Sequence, residues 1–116
     1  MNAREAEARR LVGRPDVILV DLREASERAR HGEIGGSVHA PYPDLRENLA
    51  PGGLLHELAE ATGKRLVFYC AFGERSAMAV QSAQEAGLSK TCHIKGGLDA
   101  WKKAGAPILG GSGSGH

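Results

Sequence analysis

Apolar residues along this chain form short continuous runs separated by segments with helical spacing. Two runs are strong, Val17–Val20 ending at Asp21 and Arg65–Tyr69 ending at Cys70. Runs of this length, rich in Val, Leu and Ile, are typical of strands covered on both faces of a parallel sheet. A third strand is predicted at Thr91–Ile94, and a minor one around Val38.

Between the runs, apolar positions recur three and four residues apart, which indicates amphipathic helices. Helices are predicted over residues 3–12, 24–30, 44–48, 54–63, 76–86 and 97–104. Gly32 and Gly87 follow two of them, where glycine commonly ends a helix. Strands that alternate with helices predict an α/β fold, with a central and mostly parallel sheet flanked by helices on both faces.

Composition limits the partners and the location that we expect. With 116 residues, of which 41% are hydrophobic, the chain suits one core, and we assign residues 1–109 to one domain. Residues 110–116 (GGSGSGH) are interpreted as a flexible Gly/Ser tail of added linker sequence. The net charge of +1 and the lack of a long apolar run predict neither a nucleic acid nor a membrane as partner. Two cysteines and no signal-like N-terminus favour the cytoplasm.

The segment Phe68–Val80 places Cys70 between a strand and a helix. Ligands of parallel α/β folds bind at the carboxyl ends of strands. A loop that leads into a helix directs N–H groups and a positive dipole end toward its centre, which stabilises a cysteine thiolate. We therefore predict that Cys70 is a nucleophile; the alternative is a buried structural cysteine. Cys92 lies within a predicted strand and is assigned to the core, with a resolving-thiol role left open.

Four segments, in chain order, resemble the rhodanese family, whose domain is a sulfurtransferase fold. They are Asp21–Glu24, Gly32–Val38 with Pro41 following, Cys70–Ser76 and Gly96–Trp101. The second segment departs from the family pattern, because Glu33, Gly35 and Ser37 replace its usual His, Pro and Ala. The resemblance spans roughly residues 3–107 and implies a rhodanese-like domain acting as a single-domain sulfurtransferase.

The resemblance further implies that Cys70 takes a sulfane sulfur as a persulfide and passes it to a thiophilic acceptor. The five residues expected to bind that sulfur are those that follow the cysteine, namely Ala71, Phe72, Gly73, Glu74 and Arg75. Their successive N–H groups would form an anion-binding nest, with a turn that Gly73 permits. A guanidinium at Arg75 would add a full positive charge, although pairing with a carboxylate is an alternative for it.

The expected partners are a small sulfur donor, thiosulfate or a thiol persulfide, and a thiol or cyanide as acceptor. A protein sulfur donor or acceptor is left open. We expect no cofactor and no metal, since the histidines show no metal-ligand spacing and are assigned to surface or packing positions. They are His31, His39, His56 and His93; the fifth, His116, lies in the Gly/Ser tail and is excluded from the candidate sites. A nearby general base is not expected to be needed, because backbone amides and Arg75 would already favour the thiolate. The absence of an evident Cys–His pairing in the sequence agrees with this.

The distance in sequence from Cys70 to Arg75 bears on which atom the loop holds. Phosphatases and arsenate reductases of the same fold have five residues between the cysteine and the arginine, whereas this chain has four. A smaller ring of amides suits one sulfur better than a tetrahedral oxyanion, so sulfur transfer is favoured. Because Glu74 would repel a small dianion, we hypothesise that thiosulfate is a poor donor and a thiol persulfide a better one.

A non-catalytic rhodanese-like binding or regulatory module is the alternative function. The intact Cys70 and Gly73 favour the enzyme, since a module that only docks a partner has no need of a nucleophile. Asp21 and Arg23 are predicted to be structural and to tie a strand end to a neighbouring loop, with a pocket-facing Arg23 left open as the alternative. Gly96–Gly97 is predicted to be a tight turn that borders the pocket, and Trp101 to anchor the last helix in the core.

Overall fold

The computed structural model describes residues 4–111, which build one five-stranded parallel sheet with the strand order β1-β5-β4-β2-β3. The strands are β1 (Glu5–Ala6), β2 (Val17–Asp21), β3 (Val38–His39), β4 (Arg65–Tyr69) and β5 (Thr91–Ile94). Strands β2 and β4 pair along their whole length, with Asp21 opposite Tyr69 at the carboxyl end. The two long apolar runs therefore lie side by side, and the predicted parallel α/β fold is confirmed.

Helices pack on both faces of the sheet, as parallel crossovers require. They are α1 (Ala8–Leu11), α2 (Ala25–His31), α3 (Leu45–Leu49), α4 (Leu54–Thr62), α5 (Glu74–Glu85) and α6 (Gly97–Lys103). A 3-10 turn, Tyr42–Asp44, precedes α3. On one face, apolar residues of α3, α4 and α5 cover β2 and β4; on the other, α1 and α6 cover Val67 and Ile94, with Trp101 in that core as predicted. Within the described range, no helix has the length and apolarity to cross a bilayer.

Two predicted helices differ from the structure by more than one residue at an end. The helix expected over residues 3–12 is wrong in its first half, since Glu5–Ala6 forms β1 and only Ala8–Leu11 is helical. The N–H groups of His93 on β5 and of Lys95, just after it, donate to carbonyls in this segment, both at 2.9 Å. These bonds outweigh a weak helical pattern. Helix α5 starts at Glu74, two residues early. Of the tail expected at residues 110–116, positions 112–116 lie outside the described residues.

A buried polar cluster ties the carboxyl ends of β2 and β4 together. The guanidinium of Arg23 donates to both carboxylate oxygens of Asp21, at 3.0 and 2.8 Å, and to the carbonyl of Gly32 at 2.7 Å. The hydroxyl of Tyr69 donates to the same carboxylate at 2.9 Å. Burial and the Asp21 charge raise the pKa of Tyr69. Asp21 and Arg23 thus have the structural position predicted for them.

Candidate active site

The loop between β4 and α5 encloses the sulfur of Cys70. Cys70 follows the last residue of β4 and is only 1% exposed. The backbone N–H of Gly73 donates to its Sγ at 3.1 Å. Gly73 has a φ of 118°, in the left-handed region that favours glycine, and it caps the start of α5. The loop therefore folds back on the cysteine and presents a backbone donor and a helix N-terminus to one sulfur atom.

A second turn, at the start of α6, fixes the Cys70 loop from behind. Two backbone N–H groups there donate to the carbonyls of Cys70 and Ala71, at 2.9 and 3.1 Å. At Gly97, with φ +64°, a Cβ atom would lie 2.5 Å from the Cys70 carbonyl oxygen and 2.7 Å from the Ala71 carbonyl carbon. Since real Cβ atoms do not approach so closely, the double-glycine turn is what allows the two loops to pack together, and it borders the site as predicted.

Arg75 forms a bidentate ion pair with Glu27 of α2. Its Nη1 and Nη2 atoms each donate to one carboxylate oxygen at 2.9 Å. The hydrogen bonds from Arg75 lower the pKa of Glu27 to about 2, against the opposing effect of burial. The Glu27 carboxylate in turn raises the pKa of Arg75, and the sulfur of Cys70 adds a smaller contribution of the same sign. Arg75 therefore links the start of α5 to α2 while its charge acts on the cysteine.

The remaining predicted sulfur-binding residues differ in their exposure to solvent. Ala71 is half-buried, whereas Phe72 is 66% exposed. Glu74 is exposed in the first turn of α5, where a carboxylate interacts favourably with the helix dipole. The exposed surface of the loop thus combines an apolar ring with a negative charge.

The prediction missed two residues that complete the site, Ser76 and His93. The Ser76 hydroxyl oxygen lies 3.6 Å from Cys70 Sγ, 3.1 Å from the Gly73 carbonyl and 3.0 Å from His93 Nδ1. Ser76 is fully buried and His93 is 6% exposed. His93 is buried, which fits the surface or packing role expected of the histidines, and its contact with Ser76 is what the spacing in sequence did not reveal. Burial lowers the pKa of His93, and the carboxylate of Glu5 opposes that effect.

A sequence signal for His93 exists in the alternation of side chains along β5. Neighbouring residues of a strand point to opposite faces, so His93 and Cys92 cannot share one face. Cys92 packs with Val67 and Ile94 in the core covered by α1 and α6, and burial raises the pKa of its thiol. His93 therefore points to the face on which α5 lies.

Among residues 4–111, no three His, Cys, Asp or Glu side chains converge in a way that would hold a metal ion. The groups that the site offers are an enclosed thiol, a backbone donor, a helix N-terminus, a hydroxyl and an imidazole.

Several known proteins are similar to this chain in sequence. A rhodanese-like domain model matches residues 5–104. An uncharacterised protein of Synechocystis is 38% identical over 93 residues, which are 80% of this chain and 47% of that protein. The thiosulfate:glutathione sulfurtransferase of Saccharomyces cerevisiae is 33% identical over 108 residues, covering 87% of this chain and 77% of the yeast protein. The chain thus spans about half the length of the first relative and most of the second.

Solved structures give the same picture of the fold. A rhodanese-related protein of Thermoplasma volcanium superposes with a TM-score of 0.76 at 29% identity, covering 91% of this chain and 97% of that one. A protein of Rhodopseudomonas palustris, described as a possible tyrosine phosphatase, superposes with a TM-score of 0.74 at 40% identity, covering 82% and 72%. Relatives also include a tRNA uridine(34) hydroxylase of Deinococcus radiodurans, of which the match covers 28%. Since the family model covers every element from β1 to α6, the chain belongs to the rhodanese-like domain family.

Proposed function

We propose that this protein is a sulfurtransferase that carries a sulfane sulfur on Cys70 as a persulfide. The observation that carries the proposal is the enclosure of the Cys70 sulfur at the end of β4, with the Gly73 N–H donating to it at 3.1 Å. The thiolate is the nucleophilic form of cysteine, and backbone N–H donors and helix N-termini are groups that bind anions in proteins. Relatives that are named as sulfurtransferases support the same chemistry.

The reaction proceeds in two displacements without net oxidation. The Cys70 thiolate attacks the sulfane sulfur of the donor, an S–S bond forms, and the bond to the donor breaks. The leaving group, sulfite or a thiolate, departs with the electron pair, so the outer persulfide sulfur stays anionic. A thiolate or cyanide acceptor then attacks that outer sulfur and the Cys70 thiolate is restored.

Phosphate-ester hydrolysis is the competing proposal, motivated by the Rhodopseudomonas palustris relative. Two features of this site speak against it. Four residues separate Cys70 from Arg75, which leaves a small loop. In addition, both terminal nitrogens of Arg75 donate to Glu27, whereas oxyanion recognition uses the guanidinium fork for the ligand.

We expect a thiol persulfide to be a better sulfur donor than thiosulfate. A protein donor or acceptor is left open. The exposed ring of Phe72 and the carboxylate of Glu74 form the mouth through which a donor reaches the sulfur. Thiosulfate, a compact dianion, would be repelled there by the Glu74 carboxylate, and the neutral Phe72 ring supplies no positive charge to offset that repulsion.

Mass spectrometry after exposure to donors tests the function. We expect one added sulfur atom on the Cys70 peptide with glutathione persulfide, less with thiosulfate, and none on the Cys92 peptide. The adduct should disappear on addition of cyanide, with thiocyanate as product. The Cys70→Ser variant serves as the negative control. No adduct with any donor would support a non-catalytic binding module, and turnover of an aryl phosphate by the wild type would support the phosphatase.

Glu74→Gln is expected to raise the rate with thiosulfate by about threefold to tenfold and to change the rate with glutathione persulfide less. The reason is that both charges of thiosulfate must approach the Glu74 carboxylate, while those of glutathione lie far from its reacting sulfur. Salt should reduce the difference, because exposed charges are screened. Steady-state rates at two ionic strengths measure it.

The matched control is Glu85→Gln, which removes an exposed carboxylate at the other end of the same helix. An equal change in the two variants would show that net charge, and not the position of Glu74, sets the preference.

A further inference from the structure

We propose that Ser76, His93 and Glu5 form a proton relay that removes the thiol proton of Cys70. The inference rests on the proposed function, since it explains how the nucleophile of that reaction is formed. Ser76 would be catalytic because it contacts the reacting sulfur, and His93 and Glu5 would act through it as positioning residues.

Each group of the relay lies next to the following one, from the sulfur of Cys70 to Glu5 at the edge of the sheet. Cys70 Sγ lies 3.6 Å from Ser76 Oγ, which lies 3.0 Å from His93 Nδ1. On the far side of the ring, Nε2 is 4.0 Å from a carboxylate oxygen of Glu5. The pairing of β1 with β5 places Glu5 directly beside His93. Three secondary-structure elements thus bring the groups together, which a short-range sequence pattern does not reveal.

The protons can be followed atom by atom. The carboxylate of Glu5 favours a hydrogen on Nε2, which leaves Nδ1 as an acceptor for the Ser76 hydroxyl. The Ser76 oxygen then accepts the S–H of Cys70. When the thiol proton moves to the Ser76 oxygen and the hydroxyl proton moves to Nδ1, the products are a thiolate, an unchanged serine and an imidazolium. No proton is gained or lost, and the new positive charge faces Glu5.

The charges around the relay fit this role. Glu5 on β1 faces the ring, β4 contributes Phe68 opposite His93, and Arg75 on α5 adds positive charge near the sulfur. Burial lowers the pKa of the His93 imidazole, and the Glu5 carboxylate opposes that effect and would stabilise the imidazolium that the relay forms. The Gly73 carbonyl, 3.1 Å from Ser76 Oγ, accepts the hydroxyl hydrogen in the other orientation of that group. The serine can therefore turn without leaving its hydrogen unpaired.

The test is the rate at which iodoacetamide alkylates Cys70, measured from about pH 6 to about pH 10 on the full chain, with peptide mapping to separate Cys92. In His93→Asn, the amide stands near Nδ1 and keeps the hydrogen bond to Ser76, but it does not titrate. We expect the rate to fall about tenfold near pH 7 and to equal the wild-type rate near pH 10, where hydroxide removes the proton. His31→Asn, at an exposed histidine, is the matched control and should follow the wild type.

Ser76→Ala provides a second variant that interrupts the same line and stays compatible with a helix. The double variant Ser76→Ala, His93→Asn should be alkylated near pH 7 as fast as Ser76→Ala alone, because both substitutions interrupt the same proton relay. A His93→Asn rate that matches the wild type, a loss of equal size at every pH, or multiplying losses in the double variant would each overturn the relay.

Persulfide formation is measured on the same samples and keeps the two proposals apart. Alkylation reports only how the thiolate forms, and it needs no sulfur donor. A relay-like pH profile without any sulfur adduct would reject the proposed function alone, whereas a sulfur adduct with an unaltered profile in both variants would reject the relay alone.

Discussion

Gly97→Ala is expected to lower the rate of sulfur transfer about a hundredfold. The new Cβ would lie 2.5 Å from the carbonyl oxygen of Cys70 and 2.7 Å from the carbonyl carbon of Ala71. Both neighbours are backbone, so the loop must move as a unit and carry the cysteine with it. A shift of about 1 Å is enough to misplace a reacting atom at this cost. Single-turnover persulfide formation, followed by mass spectrometry, measures the change.

The matched control is Gly105→Ala, just after α6. Gly105 has a φ of +76°, and a Cβ there would meet no heavy atom within 4 Å. That variant carries only the strain of a left-handed alanine, on the order of 1 kcal/mol, and should keep the wild-type rate. Should Gly97→Ala transfer sulfur as fast as the control, the close approach of the two loops would not matter for activity.

Arg23→Met is expected to lower the free energy of unfolding by about 3–5 kcal/mol. Arg23 is 1% exposed, and its partner Asp21 is completely buried. Methionine fills a similar volume but leaves the carboxylate of Asp21 without its main counter-charge and leaves the Gly32 carbonyl without its side-chain donor. Such a loss is a large share of the stability of a small domain. Urea denaturation measures it.

The control is Arg14→Met, which removes the same side chain from an exposed pair. Arg14 donates to Asp16 at 2.8 Å, with its own side chain 51% exposed. Exposed pairs contribute about 0–1 kcal/mol. If the two variants unfold at similar urea concentrations, burial of the Asp21–Arg23 pair would have little influence on stability.

The central fold could be predicted because its signals are local. The runs at β2 and β4 are continuous and apolar, and in a parallel sheet such runs occupy the centre. Cys70 directly follows one of these runs. Its position at the ligand-binding edge could be predicted because ligands of parallel α/β folds bind at the carboxyl ends of strands. Gly63 and Gly87, with φ values of +67° and +91°, mark helix ends in the same local way.

The features that could not be predicted from the sequence depend on contacts between residues far apart in the chain. Glu5–Ala6 looks helical by itself and becomes a strand only because β5 offers it an edge. His93 is 23 positions from the cysteine, and its approach to Ser76 requires β5 to lie beside β4 with α5 above them. Likewise, the partner of Arg75 is Glu27, 48 positions away. No periodicity within one segment carries such information.

The hold on the sulfur comes mainly from the main chain. The Gly73 N–H donates to Sγ, and N–H groups at the start of α6 fix the carbonyls of Cys70 and Ala71. The outward-facing side chains of Phe72 and Glu74 take no part in those bonds. In the proposed sulfurtransferase, sulfur capture and donor choice would therefore rest on separate atoms, so that substitutions at Phe72 and Glu74 could change the preferred donor without altering the backbone that holds the sulfur.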